Sequence, residues 1–392
     1  MSKLLLSCDD YVYLNGGQYY AATQEKYDFY QRYLRVFDSL KLVCRCEEEP
    51  LLKKSRVPLS KNKRIELAPV PIFHGPVEYA KVYFSVGKAI QNAIKGCDAA
   101  ILRIPSTVAH RVGKMVMRSG MPYACEVVFD AEDAWQGATG LNRFVWKRFD
   151  REMRRMCNKA KGVSCVTEKY LQQHYYSTQK DSFTSHYSSL ALPVSFYSSP
   201  KTALKTKQII IAHTASPIEF NGRKGHVEVV EALALLKQQG INIKVQFAGN
   251  SKLGGIDKIK AFAEDKGLAD RVEFVGFLDR NQLSTFLDNA DLYVMPTRAE
   301  GLPRVIIEAM AKGLPCITTP VSGNPELVDE HFLVPYEDVV TLANRIEELC
   351  SNAELYERTS RANFERSQKY EASILESRRD EFYHNLRDRI RK

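Results

Sequence analysis

Residues 295–328 read MPTRAEGLPRVIIEAMAKGLPCITTPVSGNPELV, and their order decides the fold. An apolar run ends near Met295, a loop carrying Glu300 and Gly301 follows, RVIIEAMAK has helical spacing, and PCITTPV is apolar again. Strand, loop, helix, strand is the unit of a parallel sheet with crossover helices. Pro303 falls at the expected first helical position, where its missing N–H costs nothing. The helix start then projects from the carboxyl edge of the sheet, where open α/β sheets bind ligands. Its unpaired N–H groups and positive dipole end suit a phosphate. Gly301 lets backbone approach closely. Glu308, a turn or so into the helix, can reach a hydroxyl-rich group such as ribose; Glu300, in the loop, can reach a different one.

The same alternation extends both ways from this segment. QIIIAH, IKVQFAGN, VEFVGFL and DLYVMPT read as strands, separated by helical stretches over 226–239, 255–266 and 281–289. The N-terminal half repeats the architecture without repeating the sequence. KLLLSCDD, LKLVCRC, CDAAILRIP, PYACEVVFD and GVSCVTE read as strands, and 18–37, 77–95, 106–119 and 142–161 as helices. The predicted organisation is a domain over 1–195, a Ser- and Tyr-rich linker over 196–207, a second domain over 208–355, and a charged helical tail over 356–392.

The 392 residues, 44% hydrophobic and 26% charged, suit two globular domains. No stretch approaches the roughly 18 apolar residues of a spanning helix, and Leu4–Leu6 is too short for a signal peptide. A cytoplasmic protein is expected, with association to the inner face of the membrane as an addition. The nine cysteines fit neither a disulfide framework nor a zinc site. The net charge of +9 sits in the first half: residues 1–200 carry 29 Lys and Arg against 19 Asp and Glu. Such a face suits an anionic membrane, a phosphate-bearing acceptor or nucleic acid. No nucleic-acid-binding motif accompanies it, so no nucleic-acid partner is expected. In NRFVWKRFDREMRRMCNKAKG, Phe144, Val145, Phe149, Met153 and Met156 form an apolar side predicted to pack on the sheet. Arg143, Lys147, Arg151 and Arg154 form a basic side that suits lipid headgroups. PVEYAKVYFSVGKAI reads as a core helix, with binding of a lipid-linked acceptor as the alternative. There is no G-x-x-x-x-G-K-[ST] and no strand-linked G-x-G-x-x-G, which disfavours ATP hydrolysis and ordinary NAD binding.

Segment 295–328 closely resembles the donor-binding signature of retaining GT-B glycosyltransferases, above all glycosyltransferase family 4 (glycosyl transferases group 1). Glu300 and Glu308 match that family's Glu-x7-Glu motif. The resemblance implies a GT-B fold, two Rossmann-like domains facing each other across a cleft, with the donor held by the C-terminal one. It implies that Glu308 binds the nucleotide ribose and Glu300 the transferred sugar. The amides from Gly301 to Val305 would hold the diphosphate. Pro303 removes one of those donors, which shifts the phosphate contacts to Leu302, Arg304 and Val305. NGRKGHVEVVEAL resembles the family's Lys-Gly element, so Lys224 would neutralise diphosphate charge. The family's usual Arg after the preceding strand is absent from His213–Ser216, and Arg223 is its candidate substitute. FAGN and VEFVGFL resemble the next two loops, placing Gly249 and Gly276 at the base and phosphate pocket. TTPVSGNPELV is expected to support the pocket.

In the N-terminal half, Gly16 and Gly17 resemble a diglycine loop facing the donor phosphates or the acceptor. Asp130 stands where the family has a sugar-facing residue, commonly His; it is the candidate for orienting a hydroxyl or acting as a base, with Glu132 and Asp133 close by. Arg103 is the candidate for an acceptor phosphate. The resemblance implies a hexosyltransferase-like enzyme that uses a nucleotide diphosphate sugar, with UDP the expected nucleotide, as substrate. No cofactor or metal is expected. The acceptor is expected to be a glycan or lipid-linked glycan of bacterial surface polysaccharide synthesis. The alternatives are a GT-B sugar-nucleotide epimerase, which needs no acceptor, and a catalytically silent sugar-nucleotide-binding partner subunit.

Overall fold

The computed structural model describes residues 1–132, 140–204, 208–251 and 254–390. The chain forms two compact units, Met1–Tyr187 with Glu376–Lys392, and Ser188–Leu375.

The first unit contains β1 (Lys3–Asn15), β2 (Gln18–Ala21), β3 (Ser39–Glu48), β4 (Val57–Pro58), β5 (Ile65–Pro71), β6 (Ala99–Ile104), β7 (Tyr123–Val127), β8 (Gly162–Cys165) and β9 (Phe183–His186). Seven of these run parallel in the order β5-β3-β1-β6-β7-β8-β9. Leu4, Leu5 and Leu6 are fully buried, as a strand covered on both faces requires. Right-handed crossovers along this order place Gly75–Ile94, Thr107–Ser119 and Gly140–Lys159 on one face and Gln24–Gln31 on the other. The three helices lie side by side: Arg111 rests against Gly87, and Lys114 Nζ meets Glu152 at 2.7 Å.

Two expectations change here. Residues 18–37 are not one helix. Gly16 and Gly17, with φ of 53° and 76°, turn β1 back into β2, pairing Asn15 with Gln18. Consecutive positive φ angles make this the tight hairpin turn that Asn-Gly-Gly favours, and a helix starts only at Gln24, capped by Thr23. The amphipathic reading of Gly140–Lys159 holds only in its second half. Met153 and Met156 are buried, whereas Phe144 and Val145 are 66% and 49% exposed.

The second unit is a parallel sheet of β10 (Ile209–Thr214), β11 (Ile243–Ala248), β12 (Val272–Gly276), β13 (Leu292–Met295) and β14 (Cys316–Thr318), close to the sequence reading. The order is β12-β11-β10-β13-β14. The chain winds outward from β10 in one direction and then restarts at β13 in the other. The switch point between β10 and β13 is where such sheets open a ligand crevice at their carboxyl edge.

The boundaries also differ from those expected. The first unit ends at Tyr187, and the chain rejoins it only at Glu376. Ala353–Ser367 belongs to the second unit: the Tyr356 hydroxyl donates to Asp291 O (2.9 Å) and Asn363 Nδ2 to Leu314 O (3.1 Å). The returning residues dock by their aromatic rings, with Tyr383 stacked on Tyr33 at 4.8 Å between centroids.

That docking centres on Glu126 of β7, buried among donors. Tyr383 and Tyr187 donate to Oε1 (2.7 and 2.9 Å), and Tyr33 and Arg103 to Oε2 (2.9 and 3.1 Å). Arg32 approaches Oε2 at 3.5 Å. Burial would raise this carboxyl, but Arg32, Arg103 and the phenols outweigh it and hold it at about 2. A folded value below the unfolded one of 4.5 stabilises the fold above that pH, and the contribution fades as pH falls from 4.5 towards 2. Replacing Glu126 with Gln leaves two mostly shielded guanidinium groups without their counter-charge. We predict a loss of about 3 kcal/mol in urea unfolding at pH 7, and a smaller loss near pH 3. A loss that is the same at both pH values would contradict this assignment.

Candidate functional site

The loops at the switch point are held by backbone contacts that only glycine permits. Gly225 has φ 77°, and a Cβ there would lie 2.1 Å from Pro296 O. Gly249 has φ 146°, and its Cβ would lie 1.7 Å from Ala215 O. The loops after β10, β11 and β13 therefore pack backbone on backbone. Arg223 O accepts from Arg298 N (2.8 Å) and Thr297 Oγ1 (3.0 Å), closing the same seam.

This seam brings Lys224, following β10, to Glu300, following β13. Lys224 Nζ donates to Glu300 Oε1, and Thr297 Oγ1 approaches the same oxygen at 3.3 Å. Both charges are mostly shielded from water, so the pair is stronger than a surface ion pair. Its two members come from opposite sides of the switch point.

Behind the seam stands the TTPVSGN segment. Thr318 Oγ1 donates to Met295 O (2.8 Å), Thr319 Oγ1 to Thr297 O, and Gly323 N to Gly301 O (3.0 Å). Asn324 Nδ2 in turn donates to Thr318 Oγ1 and Thr319 O, each at 3.0 Å. This is the expected supporting role. The helix Arg304–Ala311 begins at the expected residue, with Pro303 as its N-cap and no side-chain cap bond. The first-turn N–H groups of a helix lack intrahelical partners and carry its positive dipole end. Gly301 and Leu302 are buried, Val305 is half-buried and Arg304 is exposed. Glu308 is half-buried one turn in. It lies close enough to Tyr293 that, behind burial, its charge helps push that phenol up. Gly249 N donates to Gly276 O (2.8 Å), and the space beside the Gly276 Cα is open. The Arg223 side chain is exposed; its backbone makes the contacts.

Two histidines under this surface were not anticipated as a pair. His213 and His226 are buried with ring centroids 4.5 Å apart. His213 Nδ1 donates to Val294 O (2.8 Å), while His213 Nε2 and both nitrogens of His226 have no hydrogen-bond partner. Burial lowers both, with the Lys224 charge adding, and takes His226 down to about 4. They stay neutral and add no positive charge beneath Lys224. His213, where the family's Arg had been sought, is a core residue.

The structure places the three candidates of the first unit as follows. Asp130 is fully buried past the end of β7. It accepts from Tyr175 OH (2.8 Å), His174 Nδ1 (3.1 Å) and Glu132 N (2.9 Å). Its carboxylate is shielded from solvent; within this cluster His174 and Glu132 reach solvent, 26% and 30% exposed. Arg103 belongs to the Glu126 network. Gly16 and Gly17 are an exposed hairpin turn. Asp133 lies outside the described residues. Among the described residues no group of three or more His, Cys, Asp or Glu side chains is placed to hold a metal ion.

Residues 199–366 match the family described as glycosyl transferases group 1. This segment is a glycosyl transferases group 1 domain. It contains Lys224, Glu300 and Glu308. Protein CapJ of Staphylococcus aureus is 24% identical over 81% of this chain and 78% of its own length. The amylovoran biosynthesis glycosyltransferase AmsK of Erwinia amylovora is 34% identical over 31% of this chain and 31% of its own, so that alignment spans about a third of either protein. HepE of Anabaena, solved with UDP and glucose, superposes with a TM-score of 0.67 at 17% identity, over 97% of this chain and 99% of that one. The whole chain has the GT-B fold, with two Rossmann-like domains.

The buried histidines give the group 1 domain a pH dependence. For His226 the folded value lies below the unfolded 6.5, so its stabilising contribution is full above pH 6.5 and declines as pH falls towards 4. The melting temperature of the protein should fall across that window, and His226→Phe should flatten the fall. An unchanged slope in the variant would show that other groups control it.

Proposed function

We propose that this glycosyltransferase moves a sugar from a UDP-sugar to a hydroxyl of a glycan or lipid-linked glycan, with retention of the anomeric configuration. The Lys224–Glu300 pair at the β10–β13 switch point carries the reading. An arriving diphosphate offers Lys224 a partner of higher charge and frees Glu300 to accept hydrogen bonds from the sugar hydroxyls. The start of the Arg304–Ala311 helix supplies N–H groups, through the Gly301–Val305 segment, to the phosphate oxygens. Glu308 takes the ribose hydroxyls. As the glycosidic bond breaks, charge builds on the departing diphosphate, where Lys224 and the helix start already stand. No step in this scheme calls for a metal.

Bound UDP in HepE supports the choice of nucleotide, and AmsK, named for amylovoran biosynthesis, supports assembly of a bacterial surface polysaccharide. A cytoplasmic place of work follows from the donor class. AmsK is named for transfer, which supports transfer over the epimerase alternative.

Glu308→Ala removes charge-assisted bonds to the ribose, so the donor KM should rise about tenfold or more; unchanged donor kinetics would remove that role. Glu300→Gln should lower kcat by about a hundredfold while UDP affinity, measured by calorimetry, stays within about threefold. Collapse of UDP affinity in Glu300→Gln would mean that the two carboxylates have exchanged roles.

A further inference from the structure

The helical face of the first unit formed by Gly75–Ile94, Thr107–Ser119 and Gly140–Lys159 carries large apolar side chains that the fold leaves uncovered. Phe84 is 85% exposed, Val77 70%, Phe144 66% and Val145 49%. On Gly75–Ile94, Val77, Lys81, Phe84 and Lys88 recur at intervals of four, three and four residues. They therefore share one stripe of the helix. On Gly140–Lys159, Phe144, Arg148, Arg151 and Arg155 recur at the same intervals. All eight residues are exposed. Both helices follow strands of one parallel sheet and sit on one of its faces, so both start at its carboxyl edge. Val77 and Phe144 lie in the first turns of their helices, towards that common edge.

The charge of this face is one-sided. Lys81, Lys88, Arg151 and Arg155 make no ion pair among the described residues. The acids nearby are few and mostly engaged. Glu78 accepts from His74 N (2.6 Å), Glu152 meets Lys114 and Arg148, and Asp150 meets Arg154 and Tyr175. Aromatic and aliphatic side chains interleaved with long cationic ones are the arrangement of a helix lying in a headgroup region. There the apolar groups enter the acyl boundary and the cations stay among phosphates. No helix among the described residues is long and apolar enough to cross a membrane, so contact through these helices would be peripheral.

We propose that the outer face of Gly75–Ile94 and Gly140–Lys159 docks on an anionic phospholipid bilayer, with Phe84, Val77, Phe144 and Val145 inserted and Lys81, Lys88, Arg151 and Arg155 paired to lipid phosphates. The purpose of this docking, presenting the enzyme to a lipid-linked acceptor, rests on the glycosyl-transfer reading; the docking itself does not.

Co-sedimentation of the full chain with vesicles tests it. Phosphatidylcholine vesicles containing phosphatidylglycerol should bind the protein, and pure phosphatidylcholine vesicles should bind it far more weakly. Raising the salt should weaken binding to the charged vesicles, because surface charges are screened within about 10 Å at 0.1 M. Lys81→Gln with Lys88→Gln should lower the partition coefficient about fivefold per lysine, and Phe84→Ser with Phe144→Ser about tenfold or more. All four sites are exposed, so the melting temperature and the shift produced by UDP should stay as in the parent protein. Equal binding to both vesicle types, unaltered binding by the two double variants, or retention on single-stranded RNA without vesicle binding would overturn the proposal. Loss of vesicle binding with UDP binding intact would touch only the docking; loss of the UDP shift in the parent protein would touch only the donor reading.

Discussion

Lys224 and Glu300 meet because two loops, far apart in sequence, are pressed together at the one place where the second sheet changes winding direction. The constraint is steric before it is electrostatic. Any side chain at Gly225 would collide with Pro296 O, and any at Gly249 with Ala215 O. With those contacts made, the ammonium and carboxylate are fixed beside the start of the Arg304–Ala311 helix, and the Thr318–Asn324 segment prevents the loop from relaxing. A cation, an anion and a helix dipole end are thereby preorganised over a neutral floor of buried imidazoles. Preorganisation of this kind is what lets a site stabilise charge that develops during a reaction without reorganising at that moment.

The two units use buried charge differently. In the second, the ion pair lies at the edge of a sheet, part-exposed, where a ligand can exchange with one partner. In the first, Glu126 is enclosed by three phenols and two guanidinium groups and has no such access. It ties the C-terminal residues from Glu376 onward to the sheet of the first unit. Removing a single partner from such a cluster is costly because the others stay buried.

How much of this was legible in the sequence follows from the range of each interaction. The strands of the second unit were readable because each is a short apolar run bounded by turn residues. Glu300, Glu308 and Lys224 could be named from the motifs that carry them, but their meeting spans the whole switch and has no local signal. Asn15-Gly16-Gly17 reads as a turn in the sequence, but the helical spacing of the residues after it hid the short strand β2 that the turn leads into. Asp130 and Arg103 were correctly placed at or just beyond strand ends. Their partners, Tyr175 and Glu126, lie on other elements, so these pairings could not be foreseen. Phe144 and Val145 belong to an apolar stripe by spacing, yet packing begins only in the later turns of their helix, where Met153 and Met156 are buried. His213 follows an unbroken apolar run in β10, and that continuity was the available hint that it lies inside.

The most direct measurement is an electron-density map of the protein crystallised with a UDP-sugar. The account predicts the diphosphate within hydrogen-bonding distance of Lys224 Nζ and of backbone N–H groups between Gly301 and Val305. It also predicts the ribose on Glu308 and the sugar on Glu300. A nucleotide bound elsewhere, with Lys224 and Glu300 still paired to each other, would contradict it.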